Sequence, residues 1–492
     1  MPAPKDEYDK IRWDVTSRRV RMIDGTWLPD AEEAIRGWFA PEIQVTLPRP
    51  EQSRNPMLAF NNQVATLYDR PYRVAILDED GQTMEGGEGM VDGPLLAQQQ
   101  DMLRYVVACT DCALRLDVSD TREVTYRVVT GDMVFGVPAK ANPTQFGMVT
   151  ELREREIGGE VVWTWERWDV RNPAAPEFKV YRRMQDGTEE DLTEAATGAS
   201  GWPEQMRGPS GEPVLPYVLY HRYVAPRLWT PTAGTELVAG TLTSSCLWTA
   251  WLAGYRDAGF PARAVVDGEI VGGTATRTLG VATEQHVINP MAILQIRSRA
   301  GEHASLSQWG AGMDPKAGGE AVAQYDEGLA VSAGLSPADV SRGSNGASGY
   351  SIVVSRDGQR RMQERLRVPM AMGDQLRLAK VAALTRSTMP TDPDRYLISY
   401  APIPRSPEEV QATLAEVVGL LDAGLITWVD AYMRMHPDAT EEQARAAKEE
   451  IEEEKAERAA VKAPAVKAGK APMDVEDPEE EDTTTKGDSE DD

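Results

Sequence analysis

The chain has 492 residues, so we expect two or more structural domains, because one hydrophobic core rarely grows beyond about 250–300 residues. Apolar residues make up 41% and charged residues 26%, a balance that excludes general disorder. The formal net charge of -26 argues against a protein that grips nucleic acid through a phosphate-neutralising basic surface. An acidic wall that lets DNA slide past remains compatible with this charge.

The cysteine content and the hydropathy limit the cellular setting. Three cysteines cannot form a disulfide framework, and no N-terminal apolar run resembles a signal peptide. The most apolar stretch, residues 237–252, is interrupted by several serines and threonines. It therefore falls short of the roughly 18 uninterrupted apolar residues that a membrane-spanning helix needs. We expect synthesis in a reducing cytoplasm and no membrane partner.

The first 235 residues mix helical and strand patterns, which indicates an α+β domain. Asp30 precedes an acidic helical start and is predicted to be its N-cap. Apolar residues at helical spacing predict one long helix over residues 94–116. Short strands are predicted from β-branched and aromatic runs at residues 122–130, 161–169, 178–184, 188–192 and 217–224.

The pattern then changes to long helices separated by an insert. Residues 235–257 predict one helix, ended by the glycine and proline that follow it, with apolar or small residues on both faces. Such a helix is expected to pack on more than one side. Residues 261–313 predict a small β-containing insert, with one strand at 292–296, and residues 316–332 predict a returning helix.

Glycine and serine dominate residues 336–349, which predicts a mobile loop. After it, residues 350–386 predict a long helix that Pro369 kinks or breaks near Val368. A strand is predicted at residues 396–400. Helices are predicted at residues 407–423, 426–436 and 440–460, and the acid-rich C-terminal tail is expected to be disordered.

Residues with catalytic potential are few. Cys109 and Cys112 have the spacing of a redox dithiol or of half a zinc site, but further ligands at suitable spacing are missing, so buried structural thiols are favoured. The Gly-Ala-Ser-Gly run at residues 346–349 lacks the second glycine of a nucleophile elbow, because Tyr350 occupies its place. We predict no catalytic residues, no cofactor and no metal.

Basic residues cluster once, after the glycine-rich loop, at Arg356, Arg360, Arg361, Arg365 and Arg367. A solvated helix face, or ion pairs with the many acids of neighbouring subunits, is favoured over contact with DNA. Trp163, Trp165 and Trp168 show no stacking platform for bases tied to basic residues, so we expect them in the core.

The order of these parts resembles the portal proteins of tailed bacteriophages, in particular the long-chain type of siphoviruses. Short runs add to the resemblance: Leu-Pro-Tyr-Val-Leu-Tyr at residues 215–220, Ser-Gly-Tyr-Ser at 348–351, and residues 420–427 followed by 437–442. The insert departs from the family pattern. The resemblance implies a portal fold of the α+β class. Its parts would be a wing (1–235), a first stem helix (236–259), a clip (260–314), a second stem helix (315–334), a tunnel loop (335–349), a kinked helix returning to the wing (350–403), a helical crown (404–460) and a disordered acidic tail (461–492).

The resemblance also implies a function and partners. The protein would form a homododecameric ring at one vertex of the virion, through which double-stranded DNA passes without sequence specificity. Partners would be the large terminase subunit, the head–tail adaptor, and the major capsid and scaffold proteins. The tunnel-loop residues would line the channel: Ser341, Arg342, Gly343, Ser344, Asn345, Gly346 and Ser348. The alternatives are another virion structural protein, such as a head-completion or scaffold component, or an enzyme whose site is assembled from dispersed residues.

Overall fold

The computed structural model describes residues 7–45, 47–184, 188–198, 200–224, 226–229, 235–259, 262–266, 268–272, 295–298, 305–309, 314–335, 357–401, 407–436 and 441–462. The chain divides into two compact units, Met1–Ala412 and Thr413–Asp492. Helices and antiparallel sheets occur together in the first unit, so the expected α+β class is confirmed. In the described part of the chain, every helix is too short or too polar to cross a bilayer.

The elements up to residue 221 follow in chain order: α1 Glu7–Asp24, α2 Leu28–Trp38, α3 Pro41–Gln44, α4 Pro56–Val64, β1 Tyr72–Leu77, β2 Thr83–Val91, α5 Gly93–Cys109, β3 Asp111–Val118, β4 Val124–Thr130, β5 Val134–Pro138, β6 Phe146–Ile157, β7 Glu160–Asp169, β8 Glu177–Arg183, β9 Glu189–Asp191, α6 Thr193–Thr197 and β10 Tyr217–His221. A 3-10 turn, Glu204–Met206, precedes β10.

The remaining elements are mostly helical: α7 Thr235–Gly259, β11 Ala262–Val266, β12 Gly268–Gly272, β13 Gln295–Ser298, β14 Ser305–Trp309, α8 Pro315–Ser332, α9 Asp357–Thr385, β15 Tyr396–Ser399, α10 Pro407–Asp422, α11 Trp428–Met435 and α12 Glu441–Lys462. A second 3-10 turn, Pro393–Arg395, precedes β15. The acidic tail predicted to be disordered lies outside the described residues.

Three antiparallel sheets form the body of the first unit. Their strand orders are β15-β1-β2, β10-β3-β4 and β5-β6-β7-β8-β9. The strands predicted at β4, β7, β8, β9 and β10 are confirmed. The longest strand, β6, was not predicted from the sequence because its second half alternates glutamate and arginine instead of apolar residues. Its hairpin with β7 turns at Gly158 and Gly159, both of which have positive φ.

Two boundaries differ from the sequence-based expectation. Helix α5 ends at Cys109, not residue 116, because Thr110 adopts φ of 71° and reverses the chain into β3. Strand β3 is the central strand of its sheet and is buried on both faces. Residues 114–118 alternate apolar and polar side chains, which is typical of a strand, but the apolar run that precedes them continues the helical pattern of α5. Asp30 is not an N-cap, since α2 begins at Leu28, three residues earlier than predicted, with Pro29 in its first turn. The buried Asp30 carboxylate instead accepts two hydrogen bonds from Arg21, at 2.7 and 2.8 Å.

Helix α9 continues through Pro369, so the predicted break is wrong, while a kink there stays a prediction. Buried neighbours on both sides, Leu366 and Met370, hold the two halves of the helix against the core and offset the hydrogen bond that proline cannot make. The first seven residues of the predicted helix, 350–356, lie outside the described part of the chain. In the second unit, Thr427 and Asp430 form a capping box that begins α11 at Trp428.

A buried ionic cluster joins the sheet β10-β3-β4 to the five-stranded sheet. Arg115 on β3 lies 2.8 Å from a carboxylate oxygen of Glu151 on β6 and 2.6 Å from one of Glu166 on β7. The Tyr217 hydroxyl donates to Glu151 at 2.7 Å, and Arg127 donates to its other oxygen at 2.6 Å. Burial alone would raise the pKa of Glu151, but the charges of Arg115 and Arg127 lower it to about 2.

This cluster predicts a defined acid sensitivity. The pKa of Glu151 is about 2 in the folded chain, against about 4.3 when unfolded, so its stabilisation is complete above pH 5 and is lost as the pH falls towards 2. We expect the difference in unfolding free energy between the wild type and Glu151→Gln to shrink by about 2 kcal/mol between pH 6 and pH 3. Urea unfolding at each pH measures this difference. A difference that stays constant over that range would contradict the charged role of Glu151.

Candidate functional site

The seven residues predicted to line a channel lie outside the described residues: Ser341, Arg342, Gly343, Ser344, Asn345, Gly346 and Ser348. The described chain ends at Leu335, after α8, and resumes at Asp357, the first residue of α9. The candidate site is therefore the frame that fixes these two ends, formed by α7, α8 and α9.

Helices α7 and α8 form an antiparallel pair. Gly240 on α7 faces Leu329 on α8 so closely that a Cβ added to the glycine would lie 2.1 Å from a Leu329 methyl carbon. Further along, the Asp326 carboxylate accepts a hydrogen bond from the Ser244 hydroxyl at 2.5 Å and from the Trp248 indole at 2.9 Å. A carboxylate bonded by two side chains of the partner helix fixes the register of the pair.

The opposite face of α7 is also occupied, as its small and apolar residues predict. The Ser245 hydroxyl donates to the Glu51 carbonyl at 2.6 Å, and the Glu51 N–H donates to the Thr249 hydroxyl at 2.9 Å. The buried hydroxyls of α7 thus bind the backbone of the segment between α3 and α4. This double contact explains why the helix shows no single apolar stripe.

Aromatic residues close the end of the pair nearest the insert. The Trp251 indole donates to the Pro315 carbonyl at 2.8 Å, and the Tyr255 ring stacks on Trp251 with centroids 5.4 Å apart. Beyond this end the chain forms two short antiparallel strand pairs, β11 with β14 and β12 with β13. The insert predicted over residues 261–313 therefore contains strands, including β13, which overlaps the strand predicted at 292–296.

The C-terminal end of α8 has the two backbone hydrogen bonds of a Schellman motif. The Leu335 N–H donates to the Ala330 carbonyl at 3.1 Å, and the Gly334 N–H donates to Val331 at 2.9 Å. Gly334 has φ of 100°, which a residue with a side chain rarely adopts. Because Leu335 and Ala330 are both buried, the chain leaves α8 in a fixed direction.

The first turns of α9 are held by the C-terminal end of α4. The side-chain amides of Gln359 and Gln363 both donate to the Gln63 carbonyl, at 2.8 and 3.0 Å. Gln363 also donates to the Thr66 hydroxyl at 2.7 Å. Both ends of residues 336–356 are thus fixed to helices of the same unit.

A buried carboxylate anchors the middle of α9. Asp374 is fully buried, and one of its oxygens accepts hydrogen bonds from the Tyr68 hydroxyl at 2.9 Å and the Tyr400 hydroxyl at 2.7 Å. The other oxygen accepts from the Tyr220 hydroxyl at 2.9 Å and the Gln99 amide at 2.6 Å. Burial and the Asp374 charge raise the pKa of Tyr68 and of Tyr400, so both remain hydrogen-bond donors.

One turn further along α9, Arg377 supplies the counter-charge. It is buried, lies 3.5 Å from an Asp374 oxygen and donates to the Tyr72 hydroxyl at 3.0 Å. Lys380 follows and donates to the carbonyls of Leu215 and Tyr217, at 3.1 and 2.5 Å. Helix α9 is therefore bonded to α5 and to the strands or adjoining loops of β1, β10 and β15.

The cysteines and tryptophans considered as candidate residues are buried or partly buried in the fold. Cys109 ends α5 and Cys112 lies in β3, and both are buried thiols, as predicted. Burial raises the pKa of each. No group of three or more histidine, cysteine or acidic side chains suited to a metal ion occurs in the described part of the chain. Trp165 and Trp168 are core residues, as predicted, and Trp163 is partly buried against the cluster that contains Trp165.

The arginines of the predicted cluster have different environments in the structure. Arg356 lies outside the described residues, and Arg367 lies 3.1 Å from Glu364 and donates to the Ala401 carbonyl. Arg361 and Arg365 line a cavity beside the end of α8.

The sequence matches no family model and no curated protein. Among solved structures, the chain is similar to a chain in the neck of an empty GTA particle computed with C6 symmetry. The TM-score is 0.36 at 11% identity, over 80% of this chain and 97% of that one. It is also similar to a chain in the neck of a native GTA particle computed with C12 symmetry, with a TM-score of 0.35 and 11% identity over 77% and 89%. At TM-scores this low, function has to be inferred from the residues of the chain itself.

The α7–α8 contact predicts opposite effects for two glycine substitutions. In Gly240→Ala, the new methyl group overlaps Leu329, so we expect a loss of about 1–3 kcal/mol in unfolding free energy. Gly328→Ala, the control on α8, meets nothing within 4 Å and should gain about 0.5–1 kcal/mol from its higher helix propensity. Urea unfolding compares the two. Equal stability of both variants would rule out this close packing.

The Asp374 cluster predicts a graded loss of stability. Asp374→Ala leaves Arg377 buried without its counter-charge, and we expect a loss of about 3–5 kcal/mol. Tyr220→Phe and Tyr400→Phe each remove one donor and should cost about 1–3 kcal/mol. The control is Tyr255→Phe, which removes the hydroxyl of a side chain that is 57% exposed and should therefore change stability little. Thermal and urea unfolding report these differences, and an unchanged Asp374→Ala would refute the anchoring role.

Proposed function

We propose that this chain is the subunit of a closed portal ring at one vertex of a phage-like virion, through which DNA enters and leaves. The observation that carries the proposal is the frame formed by α7, α8 and α9. It presents a β-containing insert at one end of an antiparallel helical pair and the two fixed ends of residues 336–356 at the other. A portal subunit needs these parts in this order: stem helix, clip, stem helix, tunnel loop and a helix that returns to the wing.

The charge of the chain favours a conduit over a clamp. The sequence holds 78 acidic and 52 basic residues, and a ring multiplies this excess by the number of its subunits. A wall of predominantly negative potential repels phosphates, so a duplex slides through without being captured. We propose that Arg342 and the glycines near it meet the DNA at the narrowest point of the channel.

Ring formation requires a heterologous interface that closes by rotation. We propose a homododecamer that contacts the large terminase subunit and later the head–tail adaptor through the β11–β14 insert. The major capsid and scaffold proteins would surround the wing. In this proposal the chain catalyses no reaction, and ATP hydrolysis belongs to the terminase.

The mass of the purified chain in solution tests the proposal. Twelve subunits of 54.1 kDa give a ring of roughly 650 kDa, and sedimentation velocity or native mass spectrometry resolves it from smaller species. We expect the ring to persist when the protein concentration is lowered tenfold at constant salt. A chain that remains monomeric or dimeric across concentrations and ionic strengths would contradict the proposal.

A further inference from the structure

The second unit exposes more large apolar side chains than its described core contains. The apolar residues buried in its described part are one valine and two alanines: Val417, Ala431 and Ala444. By contrast, Leu414 is 49% exposed and Val418 is 45% exposed. A unit with so few buried apolar side chains gains little free energy from its own core. Its exposed apolar groups are therefore expected to be covered by another surface.

One face of α10 carries two of these exposed groups. Leu414 and Val418 stand one helical turn apart, and Ala415 and Gly419 beside them are exposed as well. The water-facing side of a helix normally carries polar or charged side chains. Here the two small residues leave a depression beside the two larger ones, of the kind into which a side chain of a facing element packs. This face of α10 is suited to receive an apolar side chain.

Leu425 is a third exposed group, and its backbone is fixed. Gly424 has φ of 68° and ends α10 in a Schellman motif, in which the Leu425 N–H donates to the Leu420 carbonyl at 2.9 Å. The residue at this position commonly packs back on its own helix, but Leu425 is 71% exposed. Two residues later, the capping box of Thr427 begins α11. The Leu425 side chain thus lies on a turn held on both sides, so docking it costs little backbone entropy.

We propose that Leu425 of each subunit inserts between Leu414 and Val418 on α10 of the next subunit. This inference rests on the proposed ring. A ring contact is heterologous and joins two different surfaces of the same chain, as an exposed side chain and an apolar face do. The face covers at most a few hundred Å², well below the roughly 800 Å² per partner of a stable free complex. It is too small to hold a separate protein from solution, but it strengthens a contact between subunits that a ring already holds side by side.

Disulfide cross-linking of the full-length chain tests the proposal. The double variant Leu414→Cys/Leu425→Cys should, on mild oxidation, give a ladder of dimers, trimers and larger species on a denaturing, non-reducing gel. The ladder is expected because each subunit offers one thiol to each of its two neighbours. The native cysteines, Cys109, Cys112 and Cys246, are buried and should stay reduced. The single variants Leu414→Cys and Leu425→Cys are the matched controls and should run as monomers.

The pattern of cross-links separates the possible occupants of the α10 face. A ladder from the double variant alone supports the proposal. A fast-migrating monomer would show that Leu425 packs on α10 of its own chain, and dimers from Leu414→Cys alone would show that two identical faces meet. Either result, or the absence of any cross-link, would overturn the proposal.

The dissociation of the ring on dilution gives a second measure. Leu425→Gln should raise the protein concentration at which the ring dissociates by at least about tenfold, since an apolar contact is lost at every interface. Adding Leu414→Gln to it should cause little further loss, because both changes remove the same contact. Leu397→Gln is the control, at a leucine of β15 that is 52% exposed, and should leave the ring unchanged.

The outcomes distinguish this contact from the portal proposal. A wild-type chain that forms no ring contradicts the portal proposal itself. A wild-type ring that Leu425→Gln leaves intact, or that Leu397→Gln weakens equally, overturns the contact alone.

Discussion

The buried carboxylate of Asp374 is the interaction on which the arrangement of the first unit depends. Its four neutral donors come from residues 68, 99, 220 and 400, and its counter-charge comes from Arg377. A charge removed from water is stable only when its lone pairs are occupied. Helix α9 therefore has one position along its axis in which all these bonds form, and the strands and helices around it are fixed by the same requirement.

The position of α9 sets the geometry of the candidate site. Its first turns are bonded to α4, and α4 also packs against α7 and α8. Residues 336–356 thus begin and end on elements that share one core. The two ends of residues 336–356 are fixed by the Schellman motif at Gly334 and by the hydrogen bonds that Gln359 and Gln363 donate to the Gln63 carbonyl. The α7–α8 pair is fixed by the hydrogen bonds to Asp326 and by the close approach of Gly240 to Leu329.

Local signals allowed much of this frame to be predicted from the sequence. Helices α7 and α8 agree with the expected ranges within two residues, because Pro315 begins one and the glycine at 259 ends the other. The end of α5 was predicted seven residues too late, because apolar residues continue from the helix into β3 before the alternation of residues 114–118 begins. The partners of Asp374 are up to 306 residues distant, and no local pattern reveals that they converge. A single signal was available: an acid and an arginine three residues apart in a mostly apolar helical stretch. Helix α9 continues across Pro369, where Leu366 and Met370 pack into the core, so of the predicted kink or break only the break is wrong.

In the proposed ring, the α7–α8 pair of every subunit faces the central axis. Electron cryomicroscopy of the purified chain measures this most directly. The account predicts a ring with an open central channel, with α7 and α8 of every subunit in the channel wall and the insert of β11–β14 projecting from one end. Particles without a channel, or a ring in which α7 and α8 lie on the outer surface, would contradict it.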